Sequence, residues 1–242
     1  MTNGLKRNVE RLFDDKGHVF LLALDHAQSG VMPGLENISS LMDKLAFAPL
    51  DGLILNIGLA GNLARSPFLR KKLVLRTSFG ASSLASSYPQ AHLNHVSPET
   101  ALAVGADAVL MMALIGGEDY CSLQPLAADI DAFHQYSIPV VVEIIAAEFD
   151  KTATFDVQYH GARIAAELGA DAVKVFYVND FEKVIECCPV PVILAGGPKD
   201  SDIITVAKHA VDCGARGFAF GRNIFQANDP LEVIGSLREI LG

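Results

Sequence analysis

Eight short aliphatic runs recur along the chain, each followed by a segment with helical periodicity, and this alternation limits the possible fold more than any other feature. The runs fall at 19–24, 52–56, 73–77, 108–114, 139–145, 169–177, 190–194 and 217–220. Helical patterns occupy 33–45, 60–64, 98–105, 124–136, 155–168, 181–187, 203–213 and the stretch from Leu231, with a further amphipathic helix ahead of the first run at 5–13. Runs this uniformly apolar need cover on both faces, as in a parallel sheet flanked by helices. Gly105-Ala106-Asp107, Gly169-Ala170-Asp171 and Gly214-Ala215-Arg216 repeat ahead of three of the runs, where Gly can cap the helix that has just ended. No linker or shift of composition interrupts the series. The pattern predicts an α/β chain folded over residues 1–242 as a single (β/α)8 TIM barrel with a short N-terminal helix; an open doubly wound sheet is the alternative.

Composition narrows the function classes. At 242 residues and 50% hydrophobic, the chain has material for a sizeable core. A formal charge of -9 with no basic run argues against nucleic acid and against an acidic membrane surface, so an anionic substrate requires a local positive pocket. The four cysteines, Cys121, Cys187, Cys188 and Cys213, show no metal-ligand spacing and make a poor disulfide framework. They read as reduced thiols of a cytoplasmic protein; the polar first fifteen residues lead to the expectation of no signal peptide, and no apolar run here is long enough to cross a bilayer. His26, His92, His95 and His160 form no metal set by spacing and are assigned structural or solvated roles. No metal and no cofactor is expected.

The run at 169–177 contains a contradiction, because Lys174 sits inside it. Strand alternation sends Ala172, Lys174 and Phe176 to one face, and with both faces covered the ammonium has no inexpensive place to go. Burial lowers a lysine pKa, and a neutral amine is the nucleophile that imine chemistry on carbonyls needs. The alternative is a lysine that reaches solvent or pairs with Asp171 or Asp180.

In a barrel, the C-terminal ends of the strands form one mouth. Asp25, Asn56, Arg76, Glu143, Lys174, Gly196-Gly197 and Gly221-Arg222 all converge there despite their separation in sequence. Glycine-rich turns after strands seven and eight suit a phosphate, since backbone N–H groups approach closely, and Arg222 adds charge. Each turn alone also reads as an ordinary tight turn, Arg222 as a surface ion pair, and Asp25 as a helix cap. The 78–96 segment, rich in Ser, Ala, Gly and His, suits a substrate-facing loop.

Leu24-Asp25-His26, Gly169-Ala170-Asp171-Ala172-Val173-Lys174, Tyr177, Asp180, Val192-Ile193-Leu194-Ala195-Gly196-Gly197-Pro198-Lys199 and Gly221-Arg222-Asn223-Ile224-Phe225-Gln226 occur in that order. In order and spacing they resemble the archaeal-type (DhnA-type) class I fructose-bisphosphate aldolases, a family that also contains a thiolase of autoinducer-2 catabolism and an aminodideoxyheptulosonate synthase. The resemblance runs from about Val19 to the C-terminus. It implies Lys174 as the Schiff-base lysine, Asp25 as the acid/base after strand one, and Gly196, Gly197, Gly221 and Arg222 as the phosphate cradle. Arg76, counted here with the substrate-binding residues, falls where such aldolases often place a lysine. Two departures stand out: Ala27 replaces a glycine, and Ile145 replaces the tyrosine that donates a proton in the aldolases, before a loop two residues short. Glu143, two residues earlier on the same face, either takes over proton transfer or is a core carboxylate paired with Lys174 or Arg76.

The expectation is therefore a metal-independent Schiff-base lyase acting on a phosphorylated ketose, assembled as a homo-oligomer. Acyl transfer on a phosphorylated dione and a non-catalytic sugar-phosphate-binding barrel are the alternatives.

Overall fold

The computed structural model describes residues 2–62, 67–86, 91–197 and 202–242. Three sequence readings fall partly outside them: the end of the 60–64 helix, positions 87–90 of the mouth loop, and Pro198-Lys199 of the glycine-turn motif.

Eight parallel strands, each bonded to its sequence neighbours, close into a barrel in the order β1 to β8. They are β1 (Val19–Ala23), β2 (Gly52–Asn56), β3 (Lys72–Arg76), β4 (Ala108–Ile115), β5 (Val140–Ala146), β6 (Ala172–Phe176), β7 (Val192–Ala195) and β8 (Gly217–Phe220). The helices are α1 (Asn3–Leu12), α2 (Ile38–Leu45), α3 (Ile57–Ala60), α4 (Pro98–Ala103), α5 (Tyr120–Gln135), α6 (Phe155–Glu167), α7 (Phe181–Cys187), α8 (Ile203–Asp212), α9 (Arg222–Phe225) and α10 (Pro230–Leu241). The expected fold is the observed one, N-terminal helix included.

Local chemistry sets the element ends. Thr2, Asn37, Ser97, Asp202 and Asp229 each accept a backbone N–H in the first turn of the helix that follows. Asn37 explains why α2 starts at Ile38 rather than at 33. Gly34, at φ +87°, keeps the preceding residues in a turn. In the other direction, α5 begins at Tyr120, ahead of the expected 124, because Ser122 and Leu123 both donate to the Asp119 carbonyl. The short helix after β2 is Ile57–Ala60, immediately at the strand end rather than at 60–64.

The glycines of the repeated turns adopt left-handed backbone, with φ of +74° at Gly105, +108° at Gly169 and +111° at Gly214. The aspartates of the first two repeats share a second task with Asp51, which precedes β2 outside any repeat. Asp51, Asp107 and Asp171, just before β2, β4 and β6, accept the N–H of Phe20, Leu73 and Val140 at 2.7, 2.8 and 2.8 Å. Each even-numbered strand of these three pairs thus pins the start of the odd-numbered strand before it.

Inward-facing side chains, among them Leu21, Ile54, Val74, Leu110, Val141, Ala172, Ile193 and Ala219, fill the lower barrel. Leu12 joins them and Phe13 packs against them, so the end of α1 seals the floor. A larger apolar layer fills the space between strands and helices. Above this packed floor, Asp25, Arg76, Glu143 and Lys174 are buried toward the mouth.

Candidate active site

Lys174 points inward from β6 and is 5% exposed. Register places it opposite Glu143 of β5, and its Nζ lies 2.7 Å from Glu143 Oε1. The other carboxylate oxygen of Glu143 takes a hydrogen bond from Arg76 Nη1 at 2.7 Å, and the same nitrogen donates to Asp25 Oδ2 at 2.9 Å. Arg76 Nε donates to the Ser78 carbonyl at 3.2 Å. An alternating chain of ammonium, carboxylate, guanidinium and carboxylate therefore crosses the barrel from β6 to the end of β1, with all four residues buried.

Such a chain exists because each buried charge has a partner; removing one strands the next. Burial pushes the Glu143 carboxyl up, but the charges and hydrogen bonds of Lys174 and Arg76 outweigh it and hold Glu143 at about 2. Asp25 is positioned by a short 3-10 turn, Asp25–Ser29, that begins as β1 ends. Asn56 at the end of β2 holds that turn by donating to the Asp25 carbonyl at 2.8 Å.

Next to the chain lies a polar cleft lined by His26, Glu143, Lys174, Phe176, Gly196, Gly197, Gly221, Arg222 and Asn223, among others. Its glycines are required by space and backbone. A Cβ on Gly196 would lie 2.4 Å from Asn223 Oδ1, and one on Gly221 would lie 2.6 Å from His26 Cε1 and 2.7 Å from the Ala23 carbonyl. Gly197 has φ +63° and open space beside it. Arg222, the first residue of α9, donates to the Gly197 carbonyl at 3.4 Å, so the turns after β7 and β8 are tied together with a guanidinium at their junction. A larger hollow of about 280 Å³ lies at the opposite end of the barrel, between Lys72, Val104 and Gly105. It gathers none of the converging groups.

The structure thus brings together Lys174, Glu143, Gly196, Gly197, Gly221 and Arg222 in one cleft, with Asp25 and Arg76 directly behind it. Arg76, expected among the substrate-binding residues, sits behind the cleft. Its guanidinium is inserted between two carboxylates, it is 3% exposed, and it does not line the cleft. On the other side of the mouth, Met112, Leu114 and Ile145 make a small apolar cluster against which Phe176 packs.

His26 is the group that the sequence reading passed over. Assigned there to a structural or solvated role, it lines the cleft beside Lys174 and Arg222. The available signal was its place directly after the strand-end Asp25. Burial lowers the His26 pKa, the Asp25 charge opposes this, and Lys174 and Arg222 lower it further. His92 is different, anchoring the mouth loop between the Met112 carbonyl at 3.2 Å and Asp129 Oδ2 at 2.8 Å. Among the described residues, no three His, Cys, Asp or Glu side chains come together as a metal site. No described helix is long and apolar enough to cross a membrane.

Comparison with known proteins agrees with this geometry. The family model for the DeoC/LacD family aldolases matches residues 18–227. A 3-hydroxy-5-phosphonooxypentane-2,4-dione thiolase of Enterobacter sp. (strain 638) is 33% identical over 246 residues, covering 98% of this chain and 81% of that protein. A 2-amino-4,5-dihydroxy-6-oxo-7-(phosphonooxy)heptanoate synthase of Streptomyces griseus is 30% identical over 237 residues, covering 94% of this chain and 86% of that one. A crystallographically studied Schiff-base-forming fructose-1,6-bisphosphate aldolase superposes with a TM-score of 0.85 at 26% identity, covering 98% of this chain and 100% of the other. The matched family model spans most of the barrel and these relatives cover nearly the whole chain: the chain belongs to the DeoC/LacD family of aldolases.

Proposed function

We propose that this chain is a class I aldolase-type lyase that breaks or forms a carbon–carbon bond in a phosphorylated ketose through an imine on Lys174. The observation that carries the reading is the Lys174 Nζ to Glu143 Oε1 contact of 2.7 Å inside the barrel mouth. A lysine must lose a proton to attack a carbonyl, and Glu143 is placed to take it. Its carboxyl is held low chiefly by the cations beside it, so as the lysine gives up its charge that pull weakens and Glu143 becomes a better acceptor.

The amine lone pair of Lys174 forms a C–N bond with the ketone, the carbonyl oxygen takes up protons and leaves as water, and an iminium remains. Cleavage sends the C–C electron pair into that iminium, giving an enamine, while the hydroxyl on the departing carbon becomes a carbonyl and gives its proton to the Asp25 side of the site. Protonation of the enamine and addition of water return the lysine. Gly196, Gly197, Gly221 and Arg222 hold the phosphate and so orient the ketone, whereas Arg76 is a positioning residue that fixes both carboxylates.

A second reading is acyl transfer on a phosphorylated dione by the same lysine. It is favoured by the apolar wall at Ile145, where a proton-donating tyrosine is absent, and by the similarity to a thiolase. Dependence of turnover on coenzyme A separates the two. A sugar-phosphate-binding barrel without catalysis needs the glycine turns but not a buried Lys174–Glu143–Arg76–Asp25 chain, which weighs against it. Self-association belongs to the same proposal, supported by exposed apolar side chains such as Phe47 at 91% exposure, and sedimentation tests it.

The deciding experiment is borohydride reduction in the presence of a panel of ketose phosphates, followed by mass mapping. The wild type is expected to carry an adduct on Lys174, and Lys174→Met none. An adduct on another residue, or undiminished turnover in the variant, rules the mechanism out.

A further inference from the structure

Neither oxygen of Asp25 faces the cleft. Oδ2 is taken by Arg76 at 2.9 Å, and Oδ1 is buried beyond the reach of solvent with no hydrogen-bond partner. What stands 3.6 Å from Oδ1 is Nδ1 of His26, which is likewise buried and unpartnered. Two buried polar atoms left open toward one another mark an unfinished contact rather than two separate losses. Catalytic hydrogen bonds are commonly long before substrate arrives and shorten when it binds.

The imidazole is also held in place. Its ring leaves no room for a Cβ on Gly221, and it meets the Phe225 ring edge-on at a centroid distance of 5.7 Å. With Nδ1 enclosed against Asp25, Nε2 is the ring nitrogen free of that contact, on a residue that lines the cleft together with Lys174 and Arg222.

From this geometry we infer that His26 is a catalytic residue of the site, with Asp25 fixing its tautomer through Nδ1 and Nε2 exchanging the proton with substrate. The inference rests on the Schiff-base reading above and adds the group through which Asp25 acts. In the cleavage direction, the substrate O–H breaks, its electron pair becomes the new C=O bond, and the proton goes to Nε2. The imidazolium then returns that proton to the enamine carbon, whose C=C pair forms the new C–H bond and restores the iminium for hydrolysis. The groups around the ring are Asp25 and Glu143, which favour the imidazolium, and Lys174 and Arg222, which oppose it. Burial opposes it as well and is the largest influence, so the environment favours the neutral imidazole, the form that can accept a proton.

The test uses the intact protein with dihydroxyacetone phosphate and the phosphate ester of hydroxyacetone as probes. Borohydride trapping reports the imine, and exchange of the protons beside the imine carbon with D2O, followed by NMR, reports proton transfer. His26→Asn and His26→Gln are expected to keep trapping, which also shows that they fold, and to lose exchange by roughly 10²- to 10⁴-fold. Exchange by the wild type should fall toward acid as His26 takes up a proton, and that limb should vanish in both variants. Free imidazole should restore part of the exchange in His26→Ala. Trapping with wild-type exchange and an unchanged pH profile in the variants overturns the role of His26 alone. Absence of trapping in the wild type overturns the Schiff-base reading and this inference together.

Discussion

Lys174 and Glu143 face each other at the same register position of neighbouring parallel strands, with Nζ and Oε1 2.7 Å apart. Because side chains alternate along a strand, a slip of one residue between β5 and β6 would turn one of the pair into the helix layer. The register is held from below, where Asp171 accepts the Val140 N–H at 2.8 Å. The placement of Lys174 opposite Glu143 is therefore held in part by a hydrogen bond at the far end of the strand pair.

Replacing Glu143 with Gln preserves shape but removes the acceptor proposed for the lysine proton. Imine formation, read as the rate of borohydride trapping, should slow by about 10²- to 10⁴-fold while the final adduct stays on Lys174. Trapping at the wild-type rate would make Glu143 a structural ion-pair partner only.

The same carboxylate predicts an acid limit to stability. Its folded-state value is held at about 2 against an ordinary 4.5. A depressed acid contributes its stabilisation fully above the unfolded value and loses it as pH falls through the folded one. Stability in urea should thus decline between pH 4.5 and about 2, by a few kcal/mol from this group. The decline should be shallower in Glu143→Gln, and an identical slope in both proteins would rule the assignment out.

Arg222→Ala should act on phosphorylated ligands alone. A charge-assisted hydrogen bond contributes about 1.5 to 3 kcal/mol, which corresponds to roughly 10- to 150-fold in binding. Equilibrium binding of a ketose phosphate and of its unphosphorylated analogue should separate by that factor. Equal losses for both would make the arginine structural.

Two glycines of the cleft should fail for different reasons when changed to Ala. At Gly221 the new Cβ meets the Ala23 carbonyl at 2.7 Å and His26 Cε1 at 2.6 Å. Overpacking of this kind costs about 1 to 3 kcal/mol, lowers Tm and displaces the imidazole. At Gly197 the space is open, and the cost is the left-handed backbone at φ +63°, about 1 kcal/mol. Comparable Tm values with wild-type turnover in both would contradict the close packing around His26.

Most of the barrel was legible because the evidence for it is local. An aliphatic run, a helical period and a capping glycine each act within a few residues, so β2, β8 and α7 match the expected bounds. The 33–45 helix was overextended because its apolar spacing continues through Gly34, whose backbone stops it. At the site, the lysine and the glycine turns were visible as misfits in their own segments. Arg76 was read at the mouth, with a pairing to Glu143 as one alternative, but not its simultaneous bond to Asp25, since only the closed barrel brings β1 and β5 within reach of one guanidinium. His26 was hidden for the same reason, as its environment comes from β8 and α9, nearly the whole chain away.

The ion chain at the mouth has a consequence for how substrate arrives. Two cations and two carboxylates cancel, so the site as a whole offers the phosphate of the proposed substrate little beyond Arg222 and the backbone, on a protein whose formal charge is -9. A dianion diffusing inward is repelled at long range and captured only within the last few ångströms. Added salt thins the repulsion beyond a Debye length of roughly 10 Å at 0.1 M while leaving the buried contacts largely intact, so encounter should quicken, rather than slow, as ionic strength rises.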